Sequence, residues 1–362
     1  MKDEFWPLRP ALHPVYARLL CAEMRRRGFA PDAILAGTRL DWQRLHEDNS
    51  FLSFEAMRRL IGQCLQLSQC PWLGMDVGFQ TQVSAHGALG AAMIASRNLS
   101  DALCLVQRFS PMRQQMAVIH FKFDTTFHVE LEELVALGGI REYLLGMLVA
   151  GLAQLLTTLT GRELQTALSI EWPFARPAWA EQYQRLARTN AFGAPCLRIR
   201  IDAELLTSPS LAADEETLQL AVRDCELQLQ RLQAGGSLSH RVRLQLAQSE
   251  GAMPSLDAMA AHEHMSARTF IRRLAAEQQR YQQLLDEVRE ERACWLLRQT
   301  ELSIEVIASR LGYVDTSNFS RTFKRWLGQT PRQFRQQARP SLGPNANEDS
   351  HEAASFGMIR QP

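Results

Sequence analysis

The stretch LGYVDTSNFSRTFKRWLGQTPRQFR, residues 311–335, sets a short apolar–Gly–apolar corner ahead of a segment loaded with Ser, Asn, Arg and Lys. Just upstream, Ile304, Ile307, Ala308 and Leu311 repeat at helical spacing behind Ser303, a good N-cap. Gly312 can take the left-handed conformation that ends such a helix and turns the chain sharply. A second helix is expected after Asp315, burying Phe319, Phe323, Trp326 and Leu327 on one stripe. Its other face carries Thr316, Ser317, Asn318, Arg321, Lys324 and Arg325. Helix, tight Gly turn and helix with a polar basic face form the helix-turn-helix pattern, whose second helix enters the DNA major groove.

The same plan occurs upstream in SLDAMAAHEHMSARTFIRRLAAEQ, residues 255–278. A short helix and a corner lead to Ser266 as N-cap and to a second helix that buries Ala267, Phe270 and Leu274. Arg268, Ile271 and Arg272 face out. Between the two units, QQLLDEVREERACWLLRQT is about 28 Å long if helical throughout. Successive major grooves on one face of a duplex lie about 34 Å apart, so such a helix suits two reading heads in adjacent grooves. Net charge is +1, but residues 237–339 hold 16 Lys and Arg against 11 Asp and Glu, placing the positive excess on this part of the chain. One helix-turn-helix pattern is a weak signal, because basic helix faces are commonly just solvated. Two of matching polarity favour DNA.

The rest of the chain changes period. Residues 10–116 read as mostly helical. In VIHFKFDTTFHVELEEL, Ile119, Phe121 and Phe123 alternate with polar residues, Asp124-Thr125 supplies a turn, and Phe127, Val129 and Leu131 alternate again, which reads as a β-hairpin. Strands are expected at 167–172 and 196–202. YLLGMLVAGLAQLLTTLTG, residues 143–161, approaches the length of a membrane span but reads as a buried core helix between Arg141-Glu142 and Arg162-Glu163. The N-terminus carries acids at once and lacks an uninterrupted apolar region, unlike a secretory signal. Seven scattered cysteines without C-x-x-C spacing point to a reduced, cytoplasmic protein. Leu218, Val222, Cys225, Leu229 and Leu232 form a heptad-like stripe over 214–233, either docked on its own domain or a homodimer seam. AGGSLSH, residues 234–240, reads as a flexible linker.

The motif I-A-x-x-L-G-Y…F-S-R-x-F-K-R…G-x-x-P-x-x-F-R, present from Ile307 to Arg335, resembles the AraC/XylS family of bacterial transcription regulators. Residues 10–205 are similar to the "arabinose-binding" type N-terminal domain of one subgroup, through AHGALGAAMIASRNLSDAL, EWPFARPAW and FGAPCLRIRIDAELL. That domain name does not make arabinose the ligand. The resemblance implies base contacts at Ala267, Arg268, Ile271 and Arg272, then at Thr316, Ser317, Asn318 and Arg321. Ser266, Thr269, Ser320, Lys324 and Arg325 suit phosphates, which position without specifying sequence. The chain departs from the family at two glycine positions, His264 in the first corner and Gln278 after its recognition helix. Either residue is expected to need a strained φ.

The expected fold is an α+β N-terminal domain followed by an all-α C-terminal domain with two helix-turn-helix units joined by a long helix. Residues 1–205 are expected to sense an effector, 206–240 to form an amphipathic helix and linker, 241–339 to read DNA, and 340–362 to be a disordered tail. The resemblance implies a small-molecule effector and RNA polymerase as partners beside double-stranded DNA, and an activator more than a repressor. For the effector site the residues to inspect are His86, Arg113, His120, His128 and Trp172. Each has a plain alternative: turn chemistry for His86, a surface charge for Arg113, solvated strand faces for His120 and His128, core packing for Trp172. The rivals are a DNA-repair methyl acceptor with a similar reading domain, an effector-independent repressor and a nonspecific architectural protein. No cysteine has the reactive neighbourhood a methyl acceptor needs. His262-x-His264 lacks further metal ligands, and no phosphate loop or hydrolase motif occurs. Neither catalytic residues, metal nor cofactor is expected.

Overall fold

The computed structural model describes residues 8–47, 49–123, 126–162, 167–249 and 253–338. The turn expected at Asp124-Thr125 and the tail 340–362 lie outside them. Contacts divide the chain into two units, Met1–Ser249 with Pro254–Glu291, and Glu250–Met253 with Arg292–Pro362. This division falls inside the helix Tyr281–Gln299.

In the first unit, β1 (Pro10–Leu12) and β2 (Leu52–Ser53) form a small antiparallel pair. The main sheet uses β3 (Ala117–Phe123), β4 (Phe127–Glu133), β5 (Leu168–Trp172), β6 (Thr189–Phe192) and β7 (Leu197–Ile201) in the order β3-β4-β7-β5-β6. Among the described strands only β5 and β6 pair in parallel. The expected alternation holds: Leu168, Ile170 and Trp172 of β5 and Leu197, Ile199 and Ile201 of β7 are buried, with Ile199 opposite Val129 and Ile170. On the other face Arg198 bonds Glu130 at 2.6 Å and Glu171 at 3.1 Å, and Lys122 also reaches Glu130. Lys122 and Arg198 hold the Glu130 carboxyl down at about 2. The same ladder corrects one expectation. His128 is not solvated but 4% exposed, because its register neighbours Lys122 and Arg200 flank it across the strands.

The apolar segment near 143–161 is the core helix Arg141–Thr160, with Tyr143, Val149, Leu156 and Leu159 buried. It is long and apolar enough to cross a membrane by composition, yet most of its apolar window is inside the protein. The helix Leu73–Gln80 crosses it through Gly74 and Gly78. A Cβ on Gly74 would lie 2.1 Å from the Tyr143 carbonyl oxygen, and one on Gly78 2.5 Å from that of Met147. Small residues are what allow backbones this close.

The helix Glu215–Gln233, N-capped by Asp214, lies on the helix Ala88–Ala95. Cys225 is fully buried, and Val222 and Leu229 pack on the core. The stripe that the sequence leaves open between docking and a dimer seam therefore docks on its own unit at these positions. Leu220 and Leu227 remain exposed on the same helix. The linker is shorter than the composition suggests. The next helix, Leu238–Gln248, already starts behind Ser237, with Leu238 and Ser239 buried.

In the second unit, Ile304–Arg310, Thr316–Leu327 and Pro331–Ala338 are helices. Ile307, Ala308, Leu311, Phe319, Phe323 and Phe334 are buried together in sequence pattern, whereas Trp326 and Leu327 are half-buried, less than their stripe suggests. The signature residues each have a physical task. Gly328 ends its helix at φ 72°, and Pro331 opens the next one, where a missing N–H costs nothing. Phe334 packs edge-on to Phe323 at 5.5 Å, and Arg335 Nη2 donates to the Leu302 carbonyl at 2.6 Å.

Gly74→Ala and Gly78→Ala should each cost about 1–3 kcal/mol by forcing the crossing apart. Gly62→Ala, on an exposed helix position with open space around it, should instead gain about 0.5–1 kcal/mol. Urea unfolding of the full chain measures all three. Equal effects would show that the crossing has slack.

Candidate nucleic-acid interface and ligand chamber

The two corners are built alike at the level of hydrogen bonds. After Ile304–Arg310, Gly312 sits at φ 80°; its N–H donates to the Ser309 carbonyl at 3.0 Å, and the Tyr313 N–H reaches back to Ala308 at 3.0 Å. After Leu256–His262, His264 takes the same place at φ 54°. Its N–H donates to Ala261 at 3.0 Å and that of Met265 to Ala260 at 2.9 Å. Both are Schellman-type ends. The strain expected of Gln278 is also present, at φ 55°. Asp315 then caps the second recognition helix, accepting from the Asn318 N–H at 2.6 Å, and Ser266 caps the first, Ala267–Ala276, through the Thr269 N–H at 3.3 Å.

On the first recognition helix Phe270 and Leu274 are buried, and Arg268, Ile271 (51% exposed) and Arg272 face out. Ala267 and Thr269 are half-buried, and Ser266 is exposed. On the second, Ser317, Asn318, Arg321, Lys324 and Arg325 are exposed, while Thr316 and Ser320 are half-buried. Among the described residues no carboxylate pairs with Arg268, Arg272, Arg321, Lys324 or Arg325, in contrast to the paired arginines of the sheet. Sequence reading passed over Val314, which projects fully from the second corner. Its signal was an apolar residue off the helical stripe.

The first unit also holds a partly open cavity of about 200 Å³ between the sheet and the core helix. Its walls include Ile119, Val129, Ile199, Leu144, Leu148 and Leu152. Two inspected residues, His86 and Arg113, meet at this chamber. Arg113 is no surface charge: it is 7% exposed. The remaining three lie elsewhere. His120 Nε2 sits 2.8 Å from Glu132 Oε2 on the outer sheet face, His128 belongs to the salt ladder, and Trp172 is core, its indole N–H donating to Asn190 Oδ1 at 2.9 Å. Sequence reading missed Tyr16 and Gln114, which also line the chamber; they come from segments that only the fold brings together. Among the described residues no cluster of His, Cys, Asp and Glu could hold a metal ion.

Comparison with known proteins agrees with this geometry. The model described as the arabinose-binding domain of AraC transcription regulator, N-term, matches residues 28–210, and a helix-turn-helix domain model matches residues 259–337. The ornithine utilization regulator of Pseudomonas aeruginosa is 30% identical over 323 residues, 89% of this chain and 95% of the relative. The chain belongs to the AraC family of transcription regulators. An uncharacterized HTH-type transcriptional regulator of Mycobacterium tuberculosis is 27% identical over 337 residues, covering 89% and 96%. The crystal structure of transcriptional regulator CdpR from Pseudomonas aeruginosa aligns over 89% of this chain and 98% of its own, at 23% identity and a TM-score of 0.44. The matched family models and the curated relatives are of transcription regulators, which sets aside the methyl-acceptor alternative.

In this AraC-family chain, contacts inside the first unit tie its α+β part to the first helix-turn-helix unit and the connecting helix. Glu277, at the end of the first recognition helix, accepts from the Leu238 and Ser239 N–H groups at 2.9 and 2.8 Å. Arg241 bonds Glu263, in the first corner, at 2.6 Å. Arg39 reaches Glu290 of the connecting helix Tyr281–Gln299 at 2.8 Å, and the Ser53 hydroxyl donates to Glu291 at 2.9 Å. Burial pushes the Glu291 carboxyl up to about 7, against the opposing pull of Arg59.

Since only Gly occupies the left-handed region without cost, His264→Gly and Gln278→Gly should each stabilise the chain by about 1 kcal/mol, read by thermal unfolding. A loss in both would mean the side chains hold the corner by contacts. For Glu291 the folded value lies above the ordinary 4.5. Its contribution is therefore complete below pH 4.5 and is lost as pH rises to about 7. Glu291→Gln should be more stable than the parent at pH 8 by about 1–3 kcal/mol, a gap that closes on acidification. A gap independent of pH would place Glu291 in an ordinary solvated state.

Proposed function

We propose that this regulator reads a specific duplex with both recognition helices in adjacent major grooves and answers to a small molecule held in the chamber. The observation that carries the reading is that Arg268, Arg272, Arg321, Lys324 and Arg325 are exposed and, among the described residues, have no carboxylate partners, on two helices built behind like corners. By helical position, Ala267, Arg268, Ile271, Arg272, Thr316, Ser317, Asn318 and Arg321 take base edges. Ser266, Thr269, Ser320, Lys324 and Arg325 take phosphates. Half-buried Ala267 has the least reach.

Residues 1–205 act as sensor, 206–240 as connection and 241–339 as reader, in the cytoplasm. Activation through RNA polymerase is the favoured sign by family habit. A homodimer through 214–233 has Leu220 and Leu227 available, since the stripe behind them is occupied. The name of the relative, an ornithine utilization regulator, assigns no ligand to this chamber. The chamber lining holds no carboxylate to meet an ammonium group among the described residues.

Selection from a random duplex library with the full chain at physiological salt should return two half-elements about one helical turn apart. On that site Arg268→Ala and Arg321→Ala should each lose about 1–3 kcal/mol and relax preference at one base pair. Lys324→Ala should weaken all sequences alike and lower the salt slope by about one. Unselected binding, with specificity untouched in both arginine variants, would reduce the protein to a nonspecific DNA binder.

A further inference from the structure

We propose that the chamber takes a small organic acid as its monoanion, with the carboxylate on Arg113 and an apolar body along the core helix. The proposal rests on reading the chamber as the effector site and adds the class of ligand. Arg113 is 7% exposed. Its Nη2 donates to the His86 carbonyl, its Nε has no acceptor, and no described carboxylate pairs with it. A buried guanidinium without a counterion is costly, because it gives up its hydration and receives no opposite charge in return. Yet the backbone holds it in place. The Arg113 N–H donates to the Ser110 carbonyl at 2.8 Å, and its own carbonyl accepts from the His13 N–H at 2.9 Å. Gly87, at φ 57° and ψ −131°, a conformation open to glycine, turns the chain right after His86.

The surroundings leave Arg113 as the one full charge at this end of the chamber among the described residues. Burial, helped by Arg113, holds the His86 imidazole down at about 4 and that of His13 at about 3, so both are neutral near pH 7. Burial pushes the Tyr16 phenol up to about 12. One cation with a planar fork matches one carboxylate. A phosphate dianion would want a second cation, a diamino acid would want a carboxylate, and a sugar would leave its hydroxyls against Leu89, Met93, Val106, Leu144, Leu148 and Leu152. The volume of about 200 Å³ exceeds the roughly 150 Å³ of an apolar cavity that accepts benzene, so the body is a short alkyl chain or a single ring.

The test is calorimetric titration of the full-length protein with butanoate, hexanoate, octanoate and 3-phenylpropanoate, each beside the alcohol of the same skeleton. The expected result is saturable binding of at least one acid, ten- to a hundredfold tighter than its alcohol. Arg113→Met should erase that preference while leaving the alcohol's affinity unchanged, and Arg113→Lys should keep part of it. Without ligand, Arg113→Met should unfold at a temperature no lower than the parent, an outcome opposite to that of a purely structural arginine. The acid-over-alcohol comparison in the parent stands even if the variant does not fold. Alcohols binding as well as acids would overturn the anion and keep the chamber as a ligand site. No binding by any probe would overturn both the anion and the chamber reading, and leave the DNA reading to its own selection experiment.

Discussion

The helix Leu73–Gln80 meets the core helix Arg141–Thr160 at a distance only glycine permits, and much of the first unit depends on that crossing. With Gly74 against the Tyr143 carbonyl and Gly78 against that of Met147, the core helix is fixed on one side by backbone contact. Its other side faces the sheet across Leu144, Leu148 and Leu152. Interiors close over voids when their walls can shift. Here one wall is pinned by the crossing and the other is a five-stranded sheet whose outer face is laced by Glu130, Arg198 and Glu171. Neither wall gives way easily, and a cavity persists between them.

The chamber is also joined to the first reading head by a short path. Leu89 and Met93 of the helix Ala88–Ala95 line it, and the helix Glu215–Gln233 lies on that helix, with the Cys225 thiol within electrostatic reach of Arg113. Four residues after Gln233, Ser237 caps the helix whose first N–H groups are held by Glu277. A displacement of the helix Glu215–Gln233 would therefore be felt through Gly235 and Gly236 at the end of the first recognition helix. The grip on Glu290 and Glu291 offers a parallel route, onto the middle of the connecting helix. Spatial continuity is a route, and coupling along it needs two arrangements that the ligand tells apart.

The reading heads were legible in the sequence because local chemistry decides them. A cap, a helical stripe and a left-handed corner are each written within a few residues, whereas the strained φ at His264 and Gln278 was implied only by the resemblance, as departures from two family glycines. The hairpin and the strands of β5 and β7 followed from alternation, although β1, β2 and β6 are too short to leave a period. The site in the first unit was legible only in part. Arg113 reads as a surface charge in isolation, since burial of a lone cation is set by segments far apart in the chain. His128 reads as solvated for the same reason, its cover coming from cross-strand neighbours. The stripe Val222, Cys225 and Leu229 had the right period for two partners, and periodicity does not say which surface receives it.

The energetics of Arg113 connect these features. A ligand moves an equilibrium only by the difference in its affinity for the two states. Allosteric couplings typically amount to about 1–3 kcal/mol, and a hydrogen bond to a charged group contributes about 1.5–3 kcal/mol. One carboxylate met by one guanidinium is thus of the right size to bias the reading heads, provided that Arg113 is less well placed in the alternative state. The chain supplies a reason for such a difference. Arg113 is positioned by the Ser110 turn and by the His86 carbonyl, and the Cys225 thiol lies within electrostatic reach of it, so a shift of the helix that carries Cys225 changes the surroundings of the charge. An unsatisfied buried cation makes the empty state the strained one. On the proposed reading, binding relieves that strain where the path to the first reading head begins.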